Sequence, residues 1–385
     1  MAIGSVTKFG LLGSAAAAAS IAVIAACGLD PPPKNTAPIQ PPAGGCVAGP
    51  GTLPEPNCDN SANQCTEGSC PIDEATCGST STCLPIGDNK GKSVLDLRMR
   101  RLNVAWPPTL SQAIIEKSIV IKGMDLKGAC GDNGDGGFNW LMRIDKDAGT
   151  LTTGGAPPAS DPFGTGFCFY NHTTASGIAI APTTLKVHFD STGKTFDTDP
   201  AEKLNMATFL NGDPNTLIVL PLTKPHITST TVGEDGNCIG SFNAAALDST
   251  CAEDATQCSK WRTNGVISGA FTLEDADKVP VDILRSSLCV LLSKVTPVPG
   301  ADGYGHCPRG SDGKVALPEA NKADYCSTSG KAGDCADSFW FAATFAASAA
   351  KISDTALVPE CASGTSRPPP PPDAGNDASS DAAGD

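Results

Sequence analysis

Apolar and polar residues alternate in short runs along the middle of this chain, the period-2 signature of strands that pack on one face. Leu95, Leu97 and Met99 alternate with Asp96, Arg98 and Arg100, which predicts a half-buried strand. Arg101 breaks that phase before Leu102 and Val104, as a bulge does. Phe138, Trp140, Met142 and Ile144 alternate again, then run into Asp145-Lys146-Asp147-Ala148-Gly149 and Thr150–Thr153, a hairpin signal with Gly ending the turn. Leu185, Val187 and Phe189 lead through Asp190-Ser191-Thr192-Gly193 to a return strand containing Phe196. Leu217–Leu222 and Val266–Leu273 are further strands, whereas Pro280–Ser293 reads as a short helix. Phe339–Ile352 fits two readings: Phe339, Phe341, Ala343 and Phe345 alternate as in a strand, yet its alanines favour a helix. Strands separated by Gly/Asp/Pro turns predict a mainly β fold, an antiparallel sandwich or barrel-like body over 91–366, rather than βαβ units.

Cysteine usage adds the compartment. Seventeen Cys among 385 residues, with 41 Gly, 32 Pro and 5% aromatic residues, describe a loop-rich chain stapled by disulfides in an oxidising environment. Six of them (Cys46, Cys58, Cys65, Cys70, Cys77 and Cys83) fall in a small Cys-rich module over 46–90 that has few large apolar side chains. Packing alone would not offset its chain entropy, whereas closing a loop of about 15 residues is worth roughly 3 kcal/mol. The module has no His and no Cys-x-x-Cys, so zinc spacing is absent, and three internal disulfides of unspecified connectivity are expected. The body adds Cys130, Cys168, Cys238, Cys251, Cys258, Cys289, Cys307, Cys326, Cys335 and Cys361, which makes an even set for disulfides once Cys27 is set aside.

Two segments cannot form a core. Residues 27–45 carry six prolines and read as an extended tether, and 367–385 is a Pro-, Asp- and Ala-rich tail that is disordered by composition. The formal net charge of −14 with no Lys/Arg cluster gives no electrostatic footprint for nucleic acid.

The N-terminus carries the most specific motif. After Lys8, residues 9–26 are uncharged and Ala-, Ile- and Leu-rich, a length at the lower limit for a spanning helix. The run ends in Ile24-Ala25-Ala26-Cys27, which resembles the lipobox of bacterial lipoproteins. The resemblance implies that 1–26 is a signal peptide cut before Cys27, and that the Cys27 thiol and new amine carry acyl chains of the palmitate type. Each buried methylene contributes about 0.8 kcal/mol, so two or three chains make a stable membrane anchor. Gly28 rather than Asp after the Cys points, by the same resemblance, to the outer membrane and a cell-envelope location. Lipobox, tether, Cys-rich segment and β-rich body together resemble Cys-rich lipoproteins of environmental bacteria, a likeness that carries no particular activity.

Candidate chemistry is sparse. His188 lies on an outward strand phase, His226 follows Pro225 in a turn, and His172 and His306 sit in loops beside Cys168 and Cys307. No pair has zinc-protease spacing, and no nucleophile elbow or phosphate loop occurs. Gly131-Asp132-Asn133-Gly134-Asp135-Gly136 resembles part of a calcium loop, with Asp132, Asn133 and Asp135 as candidate ligands. Gly131 stands where the first Asp belongs and Met142 where the bidentate Glu belongs, so a tight turn is the competing reading. Calcium is therefore the one cofactor to weigh. Glu274, Asp275 and Asp277, and Asp197, Asp199 and Glu202, are carboxylate groups of the kind glycosidases pair, or plain acidic turns. The four Trp are scattered.

Three functions follow as expectations. The first is a lipid-anchored envelope protein that binds or scaffolds a protein or glycan partner without catalysis. The second is a secreted-type hydrolase acting on envelope or extracellular polymers. The third is a calcium-stabilised adhesion module.

Overall fold

The alternation in the sequence becomes one long antiparallel sheet. The computed structural model describes residues 49–56, 83–112, 115–126, 134–213, 216–242 and 261–353. In chain order, β1 spans Val94–Trp106, β2 Asn139–Asp145, β3 Thr150–Ala156, β4 His172–Thr173, β5 Ala179–Ile180, β6 Thr183–Phe189 and β7 Thr195–Thr198. Then follow β8 (Lys203–Phe209), β9 (Leu217–Thr228), β10 (Thr230–Thr231), β11 (Cys238–Ile239), β12 (Ser241–Phe242), β13 (Trp261–Arg262) and β14 (Gly265–Thr272). Short β15 (Pro280–Val281), β16 (Ser286–Ser287), β17 (Val298–Pro299) and β18 (Gly305–His306) precede β19 (Tyr325–Cys326), β20 (Lys331–Ala332) and β21 (Ser338–Ala349).

The main sheet runs β10-β7-β6-β3-β2-β1-β21-β14-β9-β8, and every neighbouring pair is antiparallel. It curls into a half-barrel until β8 lies against β3. Gly155 permits that approach, because a Cβ there would stand 2.9 Å from the Ala207 amide nitrogen. The concave face holds the core, with Met99, Trp140, Met142, Phe196, Met206 and Phe345 all buried. No helix among the described residues is long and apolar enough to cross a membrane.

Both predicted hairpins form. β2 and β3 pair from Asn139↔Ala156 to Asp145↔Thr150, with Gly149 at φ +64° closing the turn. β6 and β7 pair up to Phe189↔Phe196, with Gly193 at φ +69°. The phase break at Arg101 is a bulge: the β1–β21 register shifts between Met99 and Arg101. Of the two readings of 339–352, the strand wins. Helix propensity separates residues by at most about 0.7 kcal/mol each, whereas each Phe taken into the core contributes roughly 1.5–3 kcal/mol. Phe339, Phe341 and Phe345 all reach the core from alternate positions of β21.

Three expectations are corrected. β1 is not half-buried: Arg98 is fully buried, and Arg100 and Arg101 are nearly so. Segments outside the main sheet cover that face, among them helix Lys122–Met124, β13, Phe167 and Leu84, and guanidinium groups suit it because their donors reach backbone oxygens and side-chain amides. Arg98 donates from Nε to Asn139 Oδ1 (2.7 Å) and from Nη2 to the Met124 carbonyl (2.7 Å). Arg100 lies over the Trp261 ring at 5.4 Å. The segment 280–293 is helical only at Leu288–Ser293; before it come β15, a 3-10 turn at Asp282–Leu284 and β16. Ser287 caps that helix, its Oγ accepting from the Val290 amide.

The third correction concerns the cysteines. Cys83 pairs with Cys238, across 155 residues, instead of closing a bridge inside the Cys-rich module. The reason is docking: the Ile86 amide donates to the Ala349 carbonyl, and Asn89 bonds the Asp96 and Gly236 backbone. That brings the two Cα atoms to 5.8 Å, inside the range a disulfide spans. Cys289–Cys307 and Cys326–Cys335 are further bridges, and Cys168 is also disulfide-bonded. Cys27, Cys46, Cys58, Cys65, Cys70, Cys77, Cys130, Cys251, Cys258 and Cys361 lie outside the described residues, as do the leader, tether and tail.

Candidate functional site

A cleft of about 810 Å³ opens between two walls, over a floor of Phe209 from β8 and Leu217 and Val219 from β9. The volume lies within the range of small-molecule sites.

The first wall is the segment from Tyr170 through the β4–β5 hairpin. Its root is fixed, since the Phe167 amide donates to the Lys351 carbonyl, Cys168 is disulfide-bonded, and the Tyr170 amide donates to the Gly155 carbonyl at 2.8 Å. The Tyr170 ring stands edge-on to Phe209, centroids 5.6 Å apart, and lies against His172 at 5.4 Å. Burial pushes the Tyr170 hydroxyl above its usual pKa. Among the described residues neither that hydroxyl nor the His172 ring nitrogens make a hydrogen bond. Asn205 of β8 ties the hairpin down through Nδ2 to the Ala179 carbonyl, at 2.6 Å.

The second wall is the lobe 278–306, built from β15–β18 and stapled by Cys289–Cys307. Tyr304, just before β18, and His306 within it both line the cleft. Only Gly fits between them, because a Cβ on Gly305 would stand 2.5 Å from the Pro297 Cβ. His306 is held at both nitrogens: Nδ1 lies 3.1 Å from the Asp277 carbonyl and 3.4 Å from its Oδ1, and Nε2 lies 3.0 and 3.1 Å from the Asp302 oxygens. Burial works against the charged ring, but the two carboxylates outweigh it and raise its pKa above the ordinary imidazole value. The same contact, foremost, holds the Asp302 carboxyl below its usual range. Tyr304 donates its hydroxyl to Asp282, and the Arg285 guanidinium covers its ring at 5.6 Å.

Asp277, fully buried, anchors this wall to the body. It accepts from Ser287 Oγ (2.9 Å), the Cys307 amide (2.8 Å) and Arg309 Nη2 (2.8 Å), while Arg309 also bonds Glu274 at 3.1 Å. Asp277 thus joins helix Leu273–Asp277, β16 and the disulfide in one node.

The sequence-predicted candidates scatter differently. His188 is exposed as expected and pairs with Asp199 at 2.9 Å. His226 is not in a turn but in β9, where the β14–β9 register shifts and Lys224 takes φ +49°. It faces Ser268 Oγ at 3.3 Å across the strands, and Ser268 is wholly buried, so that hydroxyl is out of a substrate's reach although His226 itself is half-buried beside a small cavity. Burial lowers the His226 pKa. Asp135 accepts the Gly137 amide (3.0 Å) and lies 3.6 Å from Lys122 Nζ, an ammonium that opposes a calcium ion by charge; Asp132 and Asn133 lie outside the described residues.

The acidic groups hold structure rather than meeting in a cleft. Glu274 bonds Arg309 and the Val315 amide, Asp275 pairs with Lys203 at 2.9 Å, and Asp197 accepts the Ser229 amide. Trp140, Trp261 and Trp340 are buried, and Trp106 donates to Asp324. Two clusters have ligand-like spacing, Asp277/Cys289/Cys307 and Cys326/Cys335/Asp337, but their sulfurs are spent in disulfides.

What sequence reasoning missed is a repeated pattern. Tyr170-Asn171-His172 and Tyr304-Gly305-His306 share the spacing Tyr-x-His, each beside a cysteine, in a chain with three Tyr and four His. The fold brings the two to facing walls. Fold and cleft together define a disulfide-stapled antiparallel β protein with a ligand-sized groove. Comparison with family models, curated proteins and solved structures finds no match.

Proposed function

We propose that the protein is a lipid-anchored cell-envelope protein, tethered through Cys27 at the outer membrane, whose β body binds a ligand in the Tyr-x-His cleft without catalysis. The observation that carries the binding role is the convergence of Tyr170, His172, Tyr304 and His306 on one groove with an apolar floor. His306 supports a holding rather than a proton-accepting role for the second wall, because both its nitrogens are engaged by fixed acceptors. The disulfides support an oxidising location, in keeping with export. Anchoring rests on the lipobox resemblance.

Expressed in a Gram-negative host, the wild-type chain should incorporate labelled palmitate and sediment with outer-membrane vesicles. Cys27→Ser should lose the label. Palmitate incorporation unaffected by Cys27→Ser would overturn the anchor.

A further inference from the structure

The polar groups of the cleft point to the class of its ligand. We propose that the cleft is a saccharide-binding site, in which Tyr170 and Tyr304 pack against sugar C–H faces while Tyr170, His172 and Asp302 bond the hydroxyls. This rests on the reading of the cleft as a ligand site and deepens it.

A sugar ring offers an apolar C–H face and a rim of hydroxyls that both donate and accept. Its site must therefore combine aromatic surface with fixed polar atoms of both kinds. The floor of Phe209, Leu217 and Val219 and the two tyrosines supply the surface. Tyr304 is oriented for it: its hydroxyl is bonded to Asp282 and its ring carries Arg285, so the ring is held in place before any ligand arrives.

The polar atoms are of two kinds. Asp302 is an acceptor whose carboxylate is oriented by His306 Nε2 and the Tyr304 amide (3.1 Å), and with roughly four lone-pair sites it retains capacity for hydroxyl donors. The Tyr170 hydroxyl and the His172 ring are unengaged among the described residues and serve as donors or acceptors. Tyr170 is half-buried and His172 exposed, so both can reach a ligand hydroxyl.

The charged groups of the lining sit at its second wall. Asp302 is balanced by His306, whereas Lys278 is exposed and lies 3.7 Å from Asp275, a carboxylate that Lys203 holds at 2.9 Å. An anionic amphiphile such as laurate is therefore the competing ligand class, and the apolar floor is the surface it would share with a sugar.

The test uses the detergent-solubilised full chain in isothermal titration against cellotetraose, maltotetraose and chitotetraose, with laurate as the amphiphile probe. At least one tetrasaccharide should bind. Tyr304→Ala should weaken it about tenfold, the ratio that loss of one contact of about 1.4 kcal/mol gives. His172→Ala, at an exposed position, and Tyr170→Phe, which keeps the ring against Phe209, should each weaken binding several-fold with the melting temperature unchanged. Laurate binding at this cleft without saccharide binding would overturn the sugar assignment and leave the cleft as a ligand site. Saccharide binding indifferent to all three substitutions would place the site elsewhere. Silence from all four probes would overturn both the sugar assignment and the binding role of the cleft.

Discussion

Asp277→Ala is the perturbation that bears most directly on how the cleft is built. The carboxylate is inaccessible to solvent and receives three hydrogen bonds, from Ser287 Oγ, the Cys307 amide and Arg309. Truncation leaves the Ser287 and Cys307 donors buried without an acceptor, at about 1–3 kcal/mol each. Arg309 is 43% exposed and rehydrates, so its lost pair adds under about 1 kcal/mol. The expected destabilisation is roughly 3–5 kcal/mol, the cost of removing one partner from a buried charge network. Asp277→Asn keeps one carbonyl oxygen for Ser287 and the Cys307 amide and gives up mainly the charge, so about 1–2 kcal/mol is expected. Equilibrium urea unfolding of the oxidised protein, followed by near-ultraviolet circular dichroism, measures both. An alanine variant within about 1 kcal/mol of wild type, or an asparagine variant as damaged as the alanine one, would refute the assignment of Asp277 as the anchor of the second wall.

The remaining predictions concern His306 and the sheet closure. The His306 pKa is raised in the folded state, so its stabilising contribution is complete below the ordinary imidazole value of about 6.5 and fades as pH rises through the higher folded value. The stability gap between wild type and His306→Gln should therefore be larger at about pH 5.5 than at about pH 9; a gap that grows with pH would refute the ion-pair reading. Gly155→Val puts a branched side chain where a Cβ already meets the Ala207 backbone at 2.9 Å, and should cost about 1–3 kcal/mol in thermal unfolding. A neutral outcome would mean that β3 and β8 are not in close contact.

Much of the sheet was legible because period-2 burial is a local signal. Leu185/Val187, Trp140/Met142/Ile144 and the Gly149 and Gly193 turns each predict their own strand or hairpin from neighbouring residues. The alternating Phe residues of β21 outweighed its alanines for the same reason. Arg98 and Arg100 read as outward because the pattern registers polarity, not cover: helix Lys122–Met124, Phe167, Leu84 and Trp261 close over them, and nothing within β1 announces those segments. The Cys83–Cys238 bridge depends on docking of segments 155 residues apart, which spacing does not encode. The cleft is hidden for a related reason. Tyr170/His172 and Tyr304/His306 are more than a hundred residues apart, and the Tyr-x-His repeat gains meaning only once the β8–β9 floor sets them face to face. Asp277 likewise sits in an acidic run that reads as a solvated turn until Arg309 and Ser287 close over it.

The central claim is that this protein holds its ligand between the Tyr170–Ile180 wall and the 278–306 lobe. Hydrogen–deuterium exchange of the full chain, with and without solubilised envelope glycans, tests it most directly. The account predicts that added protection falls on residues 170–180 and 278–306 and on the floor around Phe209 and Leu217–Val219. Protection confined to strands that do not line the cleft, or exchange unchanged by glycans that demonstrably bind, would contradict it.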